Sequence, residues 1–142
     1  MRRLALPVVL AAAIAGSVAF DPAWAESSAD PSVRDVIASQ IDAFRVGDDD
    51  RAFSFASPNI QAMFGTSGNF MAMVKSGYQP VYAPQNFTFG RYSERNGTLF
   101  QEVMVTGPEG REWVALYTLE RLKDGSTRIT GVRLARSNTP AI

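Results

Sequence analysis

Apolar residues recur every three or four positions from Val33 to Val74, and from Tyr78 onward the apolar period is two. That change fixes the class of fold open to the chain, because the longer period builds one-sided helices and the shorter one builds strands. Val33, Val36, Ile37, Ile41 and Phe44 define a helix over about 31–46. Asp30 is placed to cap it and Pro31 to begin it, since a capping carboxylate accepts from free amides and proline has no amide to leave unpaired. Gly47 supplies the left-handed stop. Asp48 caps a second helix over about 49–56, ended by Ser57-Pro58. One or two turns follow over 59–64 up to Gly65, and Thr66 or Ser67 caps a helix through 69–75 that Gly77 closes.

Four strands are expected at 86–92, 98–106, 112–121 and 127–135. Asn96-Gly97 is a strong hairpin signal because both residues tolerate positive φ. Gly107-Pro108-Glu109-Gly110 and Lys123-Asp124-Gly125 mark the other two turns. Three short connections between four consecutive strands make an antiparallel meander. Helices first and a meander after give an α+β fold, with the N-terminal helices packed on one face of a curved four-stranded sheet. Trp113, Ala115, Tyr117 and Leu119 form one face of the third strand. The opposite face mixes Val114 and Leu116 with Glu112 and Glu120, so partial cover is expected there too.

The first 25 residues read differently. Arg2 and Arg3 precede an apolar stretch, residues 4–19, and Ala23-Trp24-Ala25 fits the small-x-small pattern of leader cleavage. The stretch is shorter than the roughly 20 residues that span a bilayer, which favours a cleaved leader over a retained anchor. The expected organisation is a signal peptide at 1–25, a short disordered lead-in at 26–30, one α+β domain at 31–136 and a frayed tail at 137–142. The expected location is periplasmic or secreted, with no stable membrane anchor after cleavage.

Cysteine and histidine are both absent. That removes thiol nucleophiles, Cys/His zinc sites and every relay that passes a proton through histidine. No metal site or cofactor is expected. The chain after residue 25 carries 12 Lys and Arg against 13 Asp and Glu, a net charge of −1, with no basic stripe. Nucleic-acid binding, which rests on phosphate contacts, is not expected.

Several motifs together carry a resemblance. Phe53-Ser54-Phe55-Ala56-Ser57-Pro58, Phe64-Gly65, Phe70-Met71-Ala72-Met73-Val74, Gly77-Tyr78-Gln79-Pro80-Val81-Tyr82 and Val105-Thr106-Gly107-Pro108-Glu109-Gly110 resemble an uncharacterised, secreted proteobacterial family known as a domain of unknown function. The likeness runs from Val33 to Leu134. In layout the family is similar to the nuclear-transport-factor-two-like superfamily, whose curved sheet wraps a long N-terminal helix to form a cone. The resemblance implies a cone that often holds an apolar pocket. It brings no catalytic residues with it.

Tyr78, Tyr82, Trp113 and Tyr117 are the aromatic residues expected to line the mouth of such a cone and hold a small apolar ligand. The alternative is that they are core and edge aromatics. Asp42, beside the apolar face of the first helix, is the candidate general base of an isomerase-like or dehydratase-like site, with Tyr117 as donor. Glu102 and Glu112 are further carboxylates to locate. Asp48-Asp49-Asp50 lacks the glycine and the distal glutamate of a calcium loop and reads as a helix start. Arg91, Arg95, Arg111, Arg121, Arg128, Arg133 and Arg136 would either clamp an anion or pair across strands. The leading functional expectation is a non-catalytic module for a small ligand or a protein partner, with a homodimer through the second sheet face. The alternatives are a proton-transfer enzyme and a scaffold with a filled cone.

Overall fold

Asp30 precedes the first helix, its carboxylate accepting from the Ser32 amide at 2.9 Å. The computed structural model describes residues 30–137, so the expected leader at 1–25, residues 26–29 of the expected lead-in, and residues 138–142 of the expected tail lie outside the described residues. Helix α1 (Pro31–Arg45) starts at that cap, has Val46 as its C-cap, and is followed by Gly47 at φ 69°. Val33, Ile37 and Ile41 are spaced four apart, so they stack on one side of the helix, and all three are fully buried. Gln40, Ala43 and Phe44 are buried on the adjoining side.

Helix α2 (Asp49–Ser54) is capped by Asp48, which accepts from the Arg51 amide at 3.1 Å. The Asp48-Asp49-Asp50 run therefore does the work of a helix start, as its sequence suggested. The helix is shorter than the expected 49–56. Phe55, Ala56 and Ser57 leave it to pair with the sheet: the Ser57 amide donates to the Ile129 carbonyl at 2.8 Å, and the Ile129 amide donates to the Phe55 carbonyl at 2.9 Å. Helix α3 (Pro58–Phe64) follows from a Ser57 cap and ends at Gly65, φ 75°. Helix α4 (Ser67–Gly77) is capped by Thr66. A further turn, α5 (Gln79–Tyr82), corrects the expectation that the two-residue period begins at Tyr78. Pro80 lies in its first turn, where no amide hydrogen is needed.

The sheet is the expected meander: β1 (Asn86–Arg95), β2 (Thr98–Thr106), β3 (Glu112–Arg121) and β4 (Thr127–Arg136), in the spatial order β1-β2-β3-β4. β1 runs three residues past the expected end because the Asn96-Gly97 turn, with φ 51° and 80°, lets the ladder continue to Arg95 opposite Thr98.

Two bulges curve this sheet. Between Phe89 and Tyr92 β1 has one residue more than β2, and at Thr130 β4 has one more than β3. An extra residue on one strand bends it and increases the local twist. Gln101 fills the first bulge, its amide nitrogen donating to the Gly90 carbonyl at 3.2 Å and the Glu102 carbonyl at 2.9 Å. The concave face presents Leu99, Val103, Val105, Ala115, Tyr117, Leu119 and Ile129, and these enclose Val33, Ile37 and Ile41 of α1 in one core. A second core lies on the other side of α1, where Ala43 and Phe44 meet Ala52, Phe70, Met71 and Val74. Helix α1 is thus a shared wall between a sheet core and a helical core. The convex face, expected to be partly covered, leaves Val114 and Leu116 half-buried and Met104 38% exposed.

Candidate functional site

Helix α3 has no fully buried residue, although Ile60, Met63 and Phe64 stand at the spacing of an apolar face. Its N-terminal end is fixed. The Ile60 amide donates to the buried Ser57 hydroxyl at 3.3 Å, and the Gln61 amide nitrogen donates to the Phe53 and Ala56 carbonyls at 3.2 and 3.0 Å. The helix is therefore anchored at the point where the chain bridges to β4 and overhangs beyond it. Met63 at its far end is 75% exposed.

Under this overhang lies an open groove of about 470 Å3. Ile60, Met63 and Phe64 form one wall, and Phe70, Met73 and Val74 of α4 form another. Tyr78 and Val81 close one side, and Ile129 to Val132 at the β4 bulge supply the floor. Gln40 and Phe44 reach in from α1. Phe70 holds the aromatic walls together, with ring centroids 5.3 Å from Phe53, 5.8 Å from Phe64 and 6.4 Å from Phe44. The volume lies within the range of small-molecule sites, and its walls are mostly hydrocarbon, thioether and ring. The polar side chains that line it are Gln40, Tyr78 and Thr130. The Gln40 amide nitrogen is held by the Ala52 carbonyl at 3.1 Å, which fixes the orientation of that side chain. No acidic or basic residue lines the groove.

The four aromatic residues expected at one mouth are not brought together. Tyr78 lines the groove. Tyr82 stands outside its lining, 5.9 Å from the Phe44 ring, with the Lys75 ammonium 5.8 Å from its own ring. Trp113 lies at the start of β3, with the Arg136 guanidinium 5.7 Å from its ring and Gly107 close against its indole nitrogen. Tyr117 is fully buried in the sheet core. Burial alone pushes its phenol well above the ordinary tyrosine range, so it stays protonated.

Asp42 does not join Tyr117. The helical turn that sends Ile41 inward sends Asp42 outward, where its carboxylate is 59% exposed and pairs with Arg51 at 3.3 Å. Glu102 and Glu112 also face away from the concave side, because each alternates with inward neighbours, and Glu112 accepts from the Thr106 hydroxyl at 2.8 Å. The arginines do not gather into an anion clamp. Arg121 pairs with Asp30, Arg128 donates to the Ser54 carbonyl, and Arg136 stacks on Trp113. Among the described residues no group of acidic side chains is placed to hold a metal ion.

The family model for a domain of unknown function, DUF4864, matches residues 26–142. This chain belongs to that family. The DUF4864 chain is also similar to a solved NTF-2 like protein of unknown function from Burkholderia xenovorans LB400. The two share 15% identity over 78% of this chain and 88% of the other, with a TM-score of 0.48. No curated protein matches it. The α+β order of helices and then a four-stranded antiparallel sheet is the one that the resemblance implied.

Of the four aromatic residues expected at a cone mouth, only Tyr78 lines the groove, and Gln40, Ile60, Met63, Phe70, Met73 and Thr130, which the sequence did not single out for a site, line it too. One signal was present: apolar residues at 60, 63 and 64 on a helix too short and too closely bounded by Pro58 and Gly65 to bury them alone.

Proposed function

We propose that this chain is an exported, non-catalytic module that takes a small apolar ligand into the groove between α3, α4 and β4. The observation that carries the reading is the groove itself, open to solvent, walled by apolar side chains and furnished with only a few uncharged polar groups. Apolar walls supply affinity by removing ligand surface from water, at roughly 25 cal/mol per Å2. Gln40 and Tyr78 would orient a single polar group, since the Thr130 hydroxyl already donates to that of Thr118 at 2.9 Å. Met63 and Met73 suit ligands of varied shape because their side chains are unbranched and adaptable. Binding is favoured over proton transfer because no carboxylate points into the groove, and the candidate pair Asp42 and Tyr117 is divided between solvent and core.

Export is part of the same proposal. It is supported by the positive start, apolar stretch and small-x-small ending of residues 1–25, and by a family match that begins at residue 26.

Titration of the purified protein with N-phenyl-1-naphthylamine, an apolar fluorescent probe, tests the binding. Saturable enhancement with one site per chain is expected. Met73→Trp, which fills the groove from its α4 wall, should abolish it while leaving the far-ultraviolet spectrum unchanged. Absence of saturable uptake, or undiminished uptake by a folded Met73→Trp, would overturn the reading.

A further inference from the structure

Helix α2 ends at Ser54, and its end leaves the carbonyl of the fully buried Ala52 in need of a donor. The Ala56 amide, four residues on, donates to the Phe53 carbonyl at 3.1 Å, because the chain there turns to bridge β4. The Ala52 carbonyl takes its hydrogen from Gln40 of α1 instead, whose Nε2 donates at 3.1 Å. A carbonyl accepts and never donates, so this bond settles which end of the Gln40 amide is which. Turning the amide over would set two oxygens against each other and strand a buried acceptor.

The end left over is the oxygen. Gln40 is 3% exposed and lines the groove beside Phe44, one helical turn along α1. Its Oε1 accepts from no group among the described residues. The Oε1 of Gln101 also has no partner, but it is sealed within the sheet, whereas Gln40 borders open space. A carbonyl oxygen held in this way offers lone pairs and no hydrogen.

We propose that Gln40 sets the specificity of the groove, and that the ligand is a neutral apolar molecule whose polar group is a hydroxyl, an alcohol or a phenol. The inference rests on the groove reading and names the chemistry of its ligand. A hydroxyl gives its hydrogen to Gln40 Oε1 and keeps lone pairs for the Tyr78 hydroxyl, which also lines the groove. An ether, ester or ketone has no hydrogen to give. Its oxygen would leave water for a place beside another oxygen, with both left unpaired. A carboxylate meets the same oxygen and adds a charge, and no basic residue lines the groove to receive it. A site built around a fixed acceptor thus selects by rejecting ligands that lack a donor.

Calorimetric titration with 1-octanol, its isomer heptyl methyl ether, and octanoate tests this, read beside the uptake of N-phenyl-1-naphthylamine. The alcohol and the ether contain the same atoms and similar apolar surface, so transfer from water favours neither. Wild type should bind 1-octanol at least about tenfold more tightly than the ether or octanoate. Gln40→Met, of similar length but without the amide, should bring the alcohol-to-ether ratio to within about threefold of unity. The ratio is taken within one protein, so any general weakening from the lost Ala52 bond cancels. The wild-type ratio needs no variant and stands as a test even where Gln40→Met fails to fold. Probe uptake without a preference for the alcohol would overturn this inference and leave the groove reading intact. So would a folded Gln40→Met that keeps the wild-type preference. Absence of both probe uptake and alcohol binding would overturn the two together.

Discussion

Gln101 and Tyr117 sit directly opposite each other across β2 and β3, both fully buried. The amide oxygen of Gln101 and the hydroxyl of Tyr117 have no hydrogen-bond partner among the described residues. The reason lies in the β1 bulge. The amide nitrogen of Gln101 is occupied there by the Gly90 and Glu102 carbonyls, so the side chain serves the bend of the sheet and not its neighbour.

That arrangement predicts the effect of removing the hydroxyl. An unpartnered buried hydroxyl has given up water without compensation, which costs about 1–3 kcal/mol. Tyr117→Phe should therefore leave stability unchanged or raise it by about 1 kcal/mol in urea unfolding. A loss of more than about 1 kcal/mol would mean that the hydroxyl holds a partner, such as an internal water. The same residue sets a pH dependence. The folded phenol titrates above the unfolded one because burial disfavours the phenolate. Its contribution is complete below the unfolded value of about 10 and is lost as pH rises beyond it, because only the unfolded chain then releases the proton. Tyr117→Phe should reduce this alkaline loss. Tyr92, raised first by desolvation and then by Asp30 and Glu94, will keep part of the slope.

Asp30 carries two loads, and they can be separated. It caps α1 through Ser32 and pairs with Arg121 at the end of β3, tying the helix start to the sheet. Desolvation pushes its carboxyl up, but the hydrogen bonds from Ser32 and Arg121 together hold it below the usual range. A lowered carboxyl stabilises the fold above its unfolded value of about 4 and loses that contribution as pH falls through the folded value. Asp30→Asn keeps a capping oxygen and should lose mainly the pair, by less than about 1 kcal/mol given that Arg121 is 47% exposed. Asp30→Ala should cost about 1–2 kcal/mol. Thermal unfolding at pH 7 and pH 3 measures both, and equal losses in the two variants would refute this division.

Asp42→Asn gives a clean negative expectation. The carboxylate is exposed and its pair with Arg51 is also exposed, so stability should change by less than about 0.5 kcal/mol. Probe uptake by the groove should be unaffected. A variant that folds but no longer takes up N-phenyl-1-naphthylamine would return Asp42 to the binding site and contradict the placement of the groove.

Local signals in the sequence named most boundaries of the fold. Asp30, Asp48 and Thr66 cap helices because a short polar side chain reaches its own free amides in any context, and Ser57, read only as the end of the second helix, caps α3 in the same way. Asn96-Gly97 closes its hairpin for an equally local reason. Boundaries were misread where distant partners intervened: α2 stops at Ser54 because β4 takes residues 55–57, and Gln79–Tyr82 turns helical between α4 and the sheet.

The sequence by itself determined the order of elements, the α+β class and the inward set of β3, since period, caps and turns act over a few residues. Only the tertiary structure decided where the hollow lies. Two bulges curve the sheet onto Val33, Ile37 and Ile41, which fills the concave side with core and strands Tyr117 inside it. The open space is displaced to the overhang of α3, where Ile60 and Met63 meet Met73 and Thr130 across 70 residues of chain. Packing between segments that far apart depends on how curved surfaces meet, and no local pattern of residues encodes that.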